Sequence, residues 1–348
     1  MHDAADLTAL DAVELVTRVH DGLSCAVDVA EAHLTRIAAR PGPSPFVAHD
    51  RERVMLEAAA VDTRHDRFAL PLAGVPIAVA DTIDVSGWAT RHGPEPARRD
   101  DELVRRLRAA GAVVVGSTRA EADAVGERLA TLAVGTDHGD GLRVGAAERG
   151  LVAAVAGLPD PGRTGVLARS ARDAALLLGV LGDAPLADPG HPARVALSLA
   201  VPAPFGRSRR LHADQRAAVI GAAARLRAWP GEAAIVLADP PYPMRRRAAW
   251  RERAIAWLDA GRFDLLLCPA VTGPLPADAG PLRRTVLTRA WSAAGLPAVV
   301  APVLVDGRLA AVQLVGRPGA EGALLAAAAV LERRAVPATG AAAPRVYA

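Results

Sequence analysis

The sequence contains no lysine and no asparagine, so all 41 of its basic residues are arginine. A guanidinium keeps its proton near neutral pH, which leaves no side-chain amine able to act as a general base. Aromatic residues make up only 3% of the chain. The core must therefore be packed with Ala, Val and Leu, which fill space well only where helices and strands approach closely. The two cysteines, Cys25 and Cys268, lie far apart. They form neither a disulfide framework nor a zinc pattern, as expected for a reducing compartment. No apolar run reaches the roughly 18 residues of a membrane-spanning helix, and no charged-then-apolar leader opens the chain. These absences predict a cytoplasmic protein with no membrane association.

What is present is a globular composition. The chain has 348 residues, 51% of them hydrophobic, with a formal net charge of +3. That is enough apolar material for a large core and too much for a disordered chain. The calculated pI near 9.4 draws attention to nucleic acid. The densest basic cluster is Arg245, Arg246 and Arg247 with Arg251 and Arg253. It lacks the interleaved stacking aromatics or the module that such binding uses. Trp250 and Trp257 fall on one face of the same predicted helix, where core packing accounts for them. No nucleic-acid partner is expected.

Along the chain, Leu7 to Arg40 reads as two helices, the second with Val27, Ala30, Leu34 and Ile37 as a 3.6-period stripe. Pro41-Gly42-Pro43-Ser44-Pro45 breaks the pattern, and a third helix follows over about Arg51 to Thr63. Buried strands are predicted at Leu72–Val79 and Ala112–Gly116, on either side of a charged helix at Asp101–Ala110. Further helices are predicted at Ser170–Leu181, Ala213–Ala228 and Gly322–Arg334. Further strands are predicted at Ala234–Ala238, Leu265–Cys268, Ala298–Val305 and Ala311–Val315. Helices alternating with short aliphatic strands indicate an α/β fold with a mixed, largely buried sheet flanked by helices. The simplest parse is a single domain over 1–334, with a helical N-terminal arm at 1–63 and a loose tail at 335–348.

Pro71-Leu72-Ala73-Gly74-Val75-Pro76-Ile77-Ala78-Val79-Ala80-Asp81 resembles the "PLxGxPxxVKD" segment of the amidase signature family. Asp101 to Gly116 is similar to the helix and strand that follow it in that family. Gly135-Thr136-Asp137-His138-Gly139-Asp140-Gly141-Leu142-Arg143 lines up with the family's "GTDTGGSIR". Phe263–Pro269, Thr288–Pro302 and Val312–Gly319 resemble its C-terminal strands. The resemblance runs in order over nearly the whole chain. It implies a serine nucleophile, a second serine in a cis-peptide that relays the proton to a lysine, and backbone N–H groups of a glycine-rich turn that hold the oxyanion.

Carried over residue by residue, that machinery is missing. The lysine position holds Ala80, the nucleophile position holds Gly141, and the "GGSSGG" segment with the relay serine is absent. The chain passes instead through Glu127-Arg128-Leu129-Ala130 into the next strand. Loss of one member of such a unit costs on the order of 10⁴- to 10⁶-fold in rate in other serine hydrolases. The second glycine of the oxyanion turn is Asp140, whose charge would repel a developing oxyanion unless Arg143 or another arginine pairs with it. The turn remnant is thus Asp137, Gly139, Asp140 and Arg143, in which Asp137 and Arg143 are expected to keep stabilising roles.

His138, Asp137 and Asp140 could also form a rebuilt site, but their spacing matches no metal motif, and neither a metal nor a cofactor is expected. Asp81 is expected to brace its loop, Ser117 and Thr118 to be turn hydroxyls, and Cys268 to be a core thiol. Three readings follow. The first is a non-catalytic binding or scaffold protein, with a partner protein covering the place of the missing segment. The second is a divergent amide or ester hydrolase built around His138 and Asp140. The third is a product without selected function.

Overall fold

Local capping signals set the first helix ends. α1 (Ala12–His20) begins behind Asp11, and α2 (Ala26–Ala39) behind Cys25, each in a reciprocal capping box with the acid three residues on, Glu14 and Asp28. A short strand, β1 (Phe46–Ala48), follows the proline-rich break, and α3 (Arg51–Thr63) starts behind the Asp50 cap. The first strand expected at Leu72–Val79 is β2 (Pro76–Ala80), because residues 71–74 form a turn with Gly74 at φ 71°. A hairpin of β3 (Ala89–Thr90) and β4 (Gly93–Pro96) precedes α4 (Glu102–Ala109), β5 (Val113–Thr118), α5 (Glu121–Gly126) and β6 (Leu132–Asp137). Next come α6 (Leu142–Arg149), β7 (Val152–Val155), β8 (Arg163–Ala168), α7 (Ala171–Leu181) and β9 (Arg194–Leu197). The chain continues through α8 (Ala213–Arg227), β10 (Ala234–Leu237), α9 (Arg247–Ala260) and β11 (Leu265–Pro269). It ends in α10 (Arg289–Ala294), β12 (Ala298–Val305), β13 (Arg308–Gly316) and α11 (Glu321–Glu332).

This computed structural model describes residues 6–137, 141–157, 163–182, 194–197, 211–227, 234–238, 240–241, 245–273 and 285–332. The expected tail at 335–348 lies outside them. The chain divides into two compact units, Met1–Thr136 with Val166–Pro185, and Asp137–Gly165 with Leu186–Ala348. Strand β8 contains one of the crossing points.

The first unit is built on strands in the order β1-β5-β2-β6. β2 runs parallel to both β5 and β6, while β1 pairs antiparallel with β5. All five β2 residues are buried, as a strand covered on both faces must be. Two helix N-termini are closed by carboxylates from other helices. Asp62 of α3 accepts from Ala26 N and Val27 N of α2, and Asp173 of α7 accepts from Ala12 N and Val13 N of α1. These acceptors satisfy first-turn N–H groups that have no partner within their own helix. His33 of α2 is fully buried, with Nδ1 3.2 Å from Leu129 O and Nε2 3.3 Å from Thr131 Oγ1. Burial without a counter-charge pulls its pKa down to about 4, so the ring is neutral.

The second unit carries the order β7-β12-β13-β11-β9-β10. The pairings are antiparallel from β7 to β11 and parallel from β11 through β9 to β10. In both units, then, a mixed and largely buried sheet is flanked by helices, the architecture anticipated from the alternation of helices with aliphatic strands. Trp250 on α9 is completely buried, packs against Trp291 with the rings tilted and their centroids 5.6 Å apart, and donates Nε1–H to Ala290 O. Trp257 packs at the edge of the same cluster. The two indoles are thus core residues, and one of them buries its polar atom with a partner.

Candidate functional site

In the first unit β5, β2 and β6 lie side by side and parallel, so their carboxyl ends share one edge. β2 ends at Ala80, whose methyl is 3% exposed. The chain then turns through Asp81. Its N–H donates to Thr118 O at the end of β5, and its own C=O accepts from Arg91 N. The Asp81 carboxylate is buried and shared by two guanidinium groups. Oδ1 accepts from Arg91 Nε at 2.8 Å, and Oδ2 accepts from Arg119 Nε at 2.6 Å. Asp81 therefore braces the β2 end against the β3–β4 hairpin and the β5–α5 turn. One residue on, the hydroxyls of Thr82 and Thr136 are 3.1 Å apart. Thr118 donates to Pro45 O and accepts from Ala120 N, so it is a turn hydroxyl with both capacities engaged. Ser117 is buried beside it.

The second unit holds the described part of the glycine-rich segment. His138, Gly139 and Asp140 lie outside the described residues. Gly141 is exposed and opens α6 without a side-chain cap. Asp137, at the end of β6, and Arg143, in the first turn of α6, are each 1% exposed and form an ion pair at 2.9 Å. The guanidinium also donates to Gln313 Oε1 at 2.5 Å, to Thr288 O at 2.8 Å and to the Ser292 hydroxyl. Ser292 in turn donates to Asp137 Oδ2 at 2.8 Å. A buried guanidinium is tolerable only when its donors are met, and here α10, β13 and Asp137 together meet them. This network ties the first turn of α6 to α10 and β13 within the second unit.

Cys268, on β11, is buried and accepts a weak hydrogen bond from Gln313 Nε2 at 3.5 Å. Burial pushes its thiol up to about 11. It is a neutral core thiol at physiological pH, without the thiolate character that nucleophilic catalysis needs. No group of His, Cys, Asp and Glu able to hold a metal ion occurs among the described residues, and no helix there is long and apolar enough to cross a membrane.

Sequence reasoning located Asp81, Asp137 and Arg143 but missed their partners. Arg91, Arg119, Ser292 and Gln313 carry no local signal, because each is brought to its acid or base by a turn or strand pairing remote in sequence.

The fold and the strand-end geometry agree with what the comparisons show. The model of the amidase family matches residues 28–121. The chain is 30% identical to the amidase-family protein AmiB2 of Mycobacterium tuberculosis over 455 aligned residues, covering 95% of this chain and 97% of that one. The chain belongs to the amidase family. Over 141 residues it is 39% identical to the A subunit of the glutamyl-tRNA(Gln) amidotransferase of Salinispora arenicola, which covers 38% of this chain and 29% of that protein. The fold matches the structure of the peptide amidase from Stenotrophomonas maltophilia with a TM-score of 0.73 at 23% identity, over 93% of this chain and 96% of that one.

Proposed function

We propose that this amidase-family protein does not hydrolyse amides by the family's serine–serine–lysine chemistry and acts as a non-catalytic binding or scaffold protein of the cytoplasm. The observation that carries this reading is the end of β2. Where the family segment places its lysine, this chain has the buried methyl of Ala80, and the neighbouring Asp81 is occupied by two arginines. A guanidinium cannot replace the missing amine as a base, since it stays protonated at any pH the fold tolerates. Two further features support it. Gly141 stands at the nucleophile position, and the sequence has no serine between Ser117 and Ser170, the interval into which the relay serine would fall. The alignment with AmiB2 runs over 455 residues against 348 in this chain, in keeping with a shortening inside the sequence rather than at its ends. The lost interior segment leaves a place for a partner protein.

The test is ammonia and alcohol release from a broad panel of amides and esters. The purified protein is compared with His138→Ala and Asp140→Ala. Turnover no higher than buffer in all three supports the reading. Turnover that falls with either substitution would replace it with a divergent amide or ester hydrolase whose site has been rebuilt around those two residues.

A further inference from the structure

We propose that the carboxyl ends of β2, β5 and β6 form a binding site for a small monocarboxylate, clasped by the guanidinium groups of Arg91 and Arg119. This deepens the non-catalytic reading above, on which it rests, by naming what such a protein would bind at the edge where Ala80 and Asp81 stand.

Three observations converge. The first is position. Ligands of parallel sheets gather beyond the carboxyl ends of adjacent strands, where side chains of the following turns meet without a covering strand. Here Asp81, Thr82, Arg119 and Thr136 all sit at such ends, and the β3–β4 hairpin adds Arg91.

The second is preorganisation. Asp81 engages only the Nε of each arginine, and it is itself buried. That contact fixes both guanidinium groups while leaving their Nη groups without a protein partner among the described residues. The side chains remain 48% and 63% exposed, so both guanidinium groups are open to solvent. Guanidinium groups held in this way have already lost much of their rotamer freedom, which lowers the cost of closing them on an anion.

The third is charge. Among these three described groups, two arginines and one carboxylate leave a single positive charge. That balance suits a monoanion, and the planar N–H fork of each arginine matches the two oxygens of a carboxylate. A phosphate dianion would leave the cluster with a net negative charge.

The experiment is calorimetric titration of the full chain with benzoate at fixed ionic strength. We expect a saturable isotherm that weakens about tenfold in Arg91→Gln and in Arg119→Gln, the loss of one charge-assisted hydrogen-bonding partner. Arg105→Gln, on the outer face of α4, should bind as the parent does. Each single variant leaves Asp81 with one arginine, and a cooperative melting transition of the unliganded protein verifies that it is folded. Absence of saturable binding, binding by both Gln variants as tight as by the parent, or tighter binding of inorganic phosphate than of benzoate overturns the assignment. The amide and ester panel separates the two claims. No turnover with no benzoate binding removes this inference alone, whereas turnover removes the non-catalytic reading itself.

Discussion

Arg143 offers the sharpest test of how the second unit is held together. Its guanidinium and the Asp137 carboxylate are each 1% exposed, and the arginine also serves Gln313, Thr288 and Ser292. Replacing it with Met keeps the aliphatic stem and removes every one of these donors. Asp137 would then keep the Ser292 hydroxyl but lose its buried counter-charge. Breaking a buried pair from one side costs about 3–5 kcal/mol, because it strands the other charge. Removing both charges, in Arg143→Met with Asp137→Leu, should restore most of that loss. Urea unfolding followed by tryptophan fluorescence reads this unit well, since Trp250, Trp257 and Trp291 belong to it, and Trp291 precedes Ser292 on α10. The single variant should lower the midpoint without changing the slope. A loss below about 1 kcal/mol, or a double variant no more stable than the single one, would refute the view that α6 is anchored by a desolvated ion pair.

The first unit contains two buried groups whose pH responses oppose each other. His33 is lowered to about 4 from an ordinary 6.5, so its contribution is present above 6.5 and is lost as pH falls through 4, about 3 kcal/mol in all. Asp173 is raised to about 6 from 3.8, mainly by burial, so its contribution is present below 3.8 and is lost as pH rises through 6, again about 3 kcal/mol. Between pH 4 and 6 the contributions of these two groups nearly cancel. His33→Leu should expose a stability that falls with rising pH and Asp173→Asn one that rises. Denaturant titrations at several pH values check this, and parallel curves for all three proteins would contradict it. Cys25 is partly exposed and Cys268 buried with its thiol at about 11, so a thiol reagent should modify one cysteine quickly in the native protein and the second only on unfolding. Gly74→Ala should cost more than about 1 kcal/mol in unfolding free energy, since Gly74 sits at φ 71° and a new Cβ would lie 2.8 Å from that of Ala26.

Where local pattern and tertiary need coincide, the sequence was a reliable guide. The 3.6-period stripe of α2, the Asp-capped α3 and the aliphatic run at Ala298–Val305 all formed at or near their expected limits. The strand β1 was missed. Three residues give no alternation to detect, and only the edge of β5 makes them a strand. Strands β7 and β8 were missed because short alanine- and glycine-containing runs look the same in a strand, a helix or a loop. The site followed the same division. Ala80, Gly141, Asp137 and Arg143 could be named from their place in ordered motifs, but nothing in the sequence joined Asp81 to Arg91 and Arg119.

The sequence by itself determined the fold class, the family and the absence of an amine at the end of β2, because these depend on residue identity and order. The tertiary structure alone decided which charges are stabilised and how. A carboxylate such as Asp62, Asp81, Asp137 or Asp173 is a surface residue or a buried anchor according to what the fold brings within hydrogen-bonding distance. Those partners lie 6 to 161 residues away. Where both partners are buried, as in Asp137 with Arg143, the loss of competing water strengthens the contact, and burial is a property of the packed chain rather than of any stretch of it.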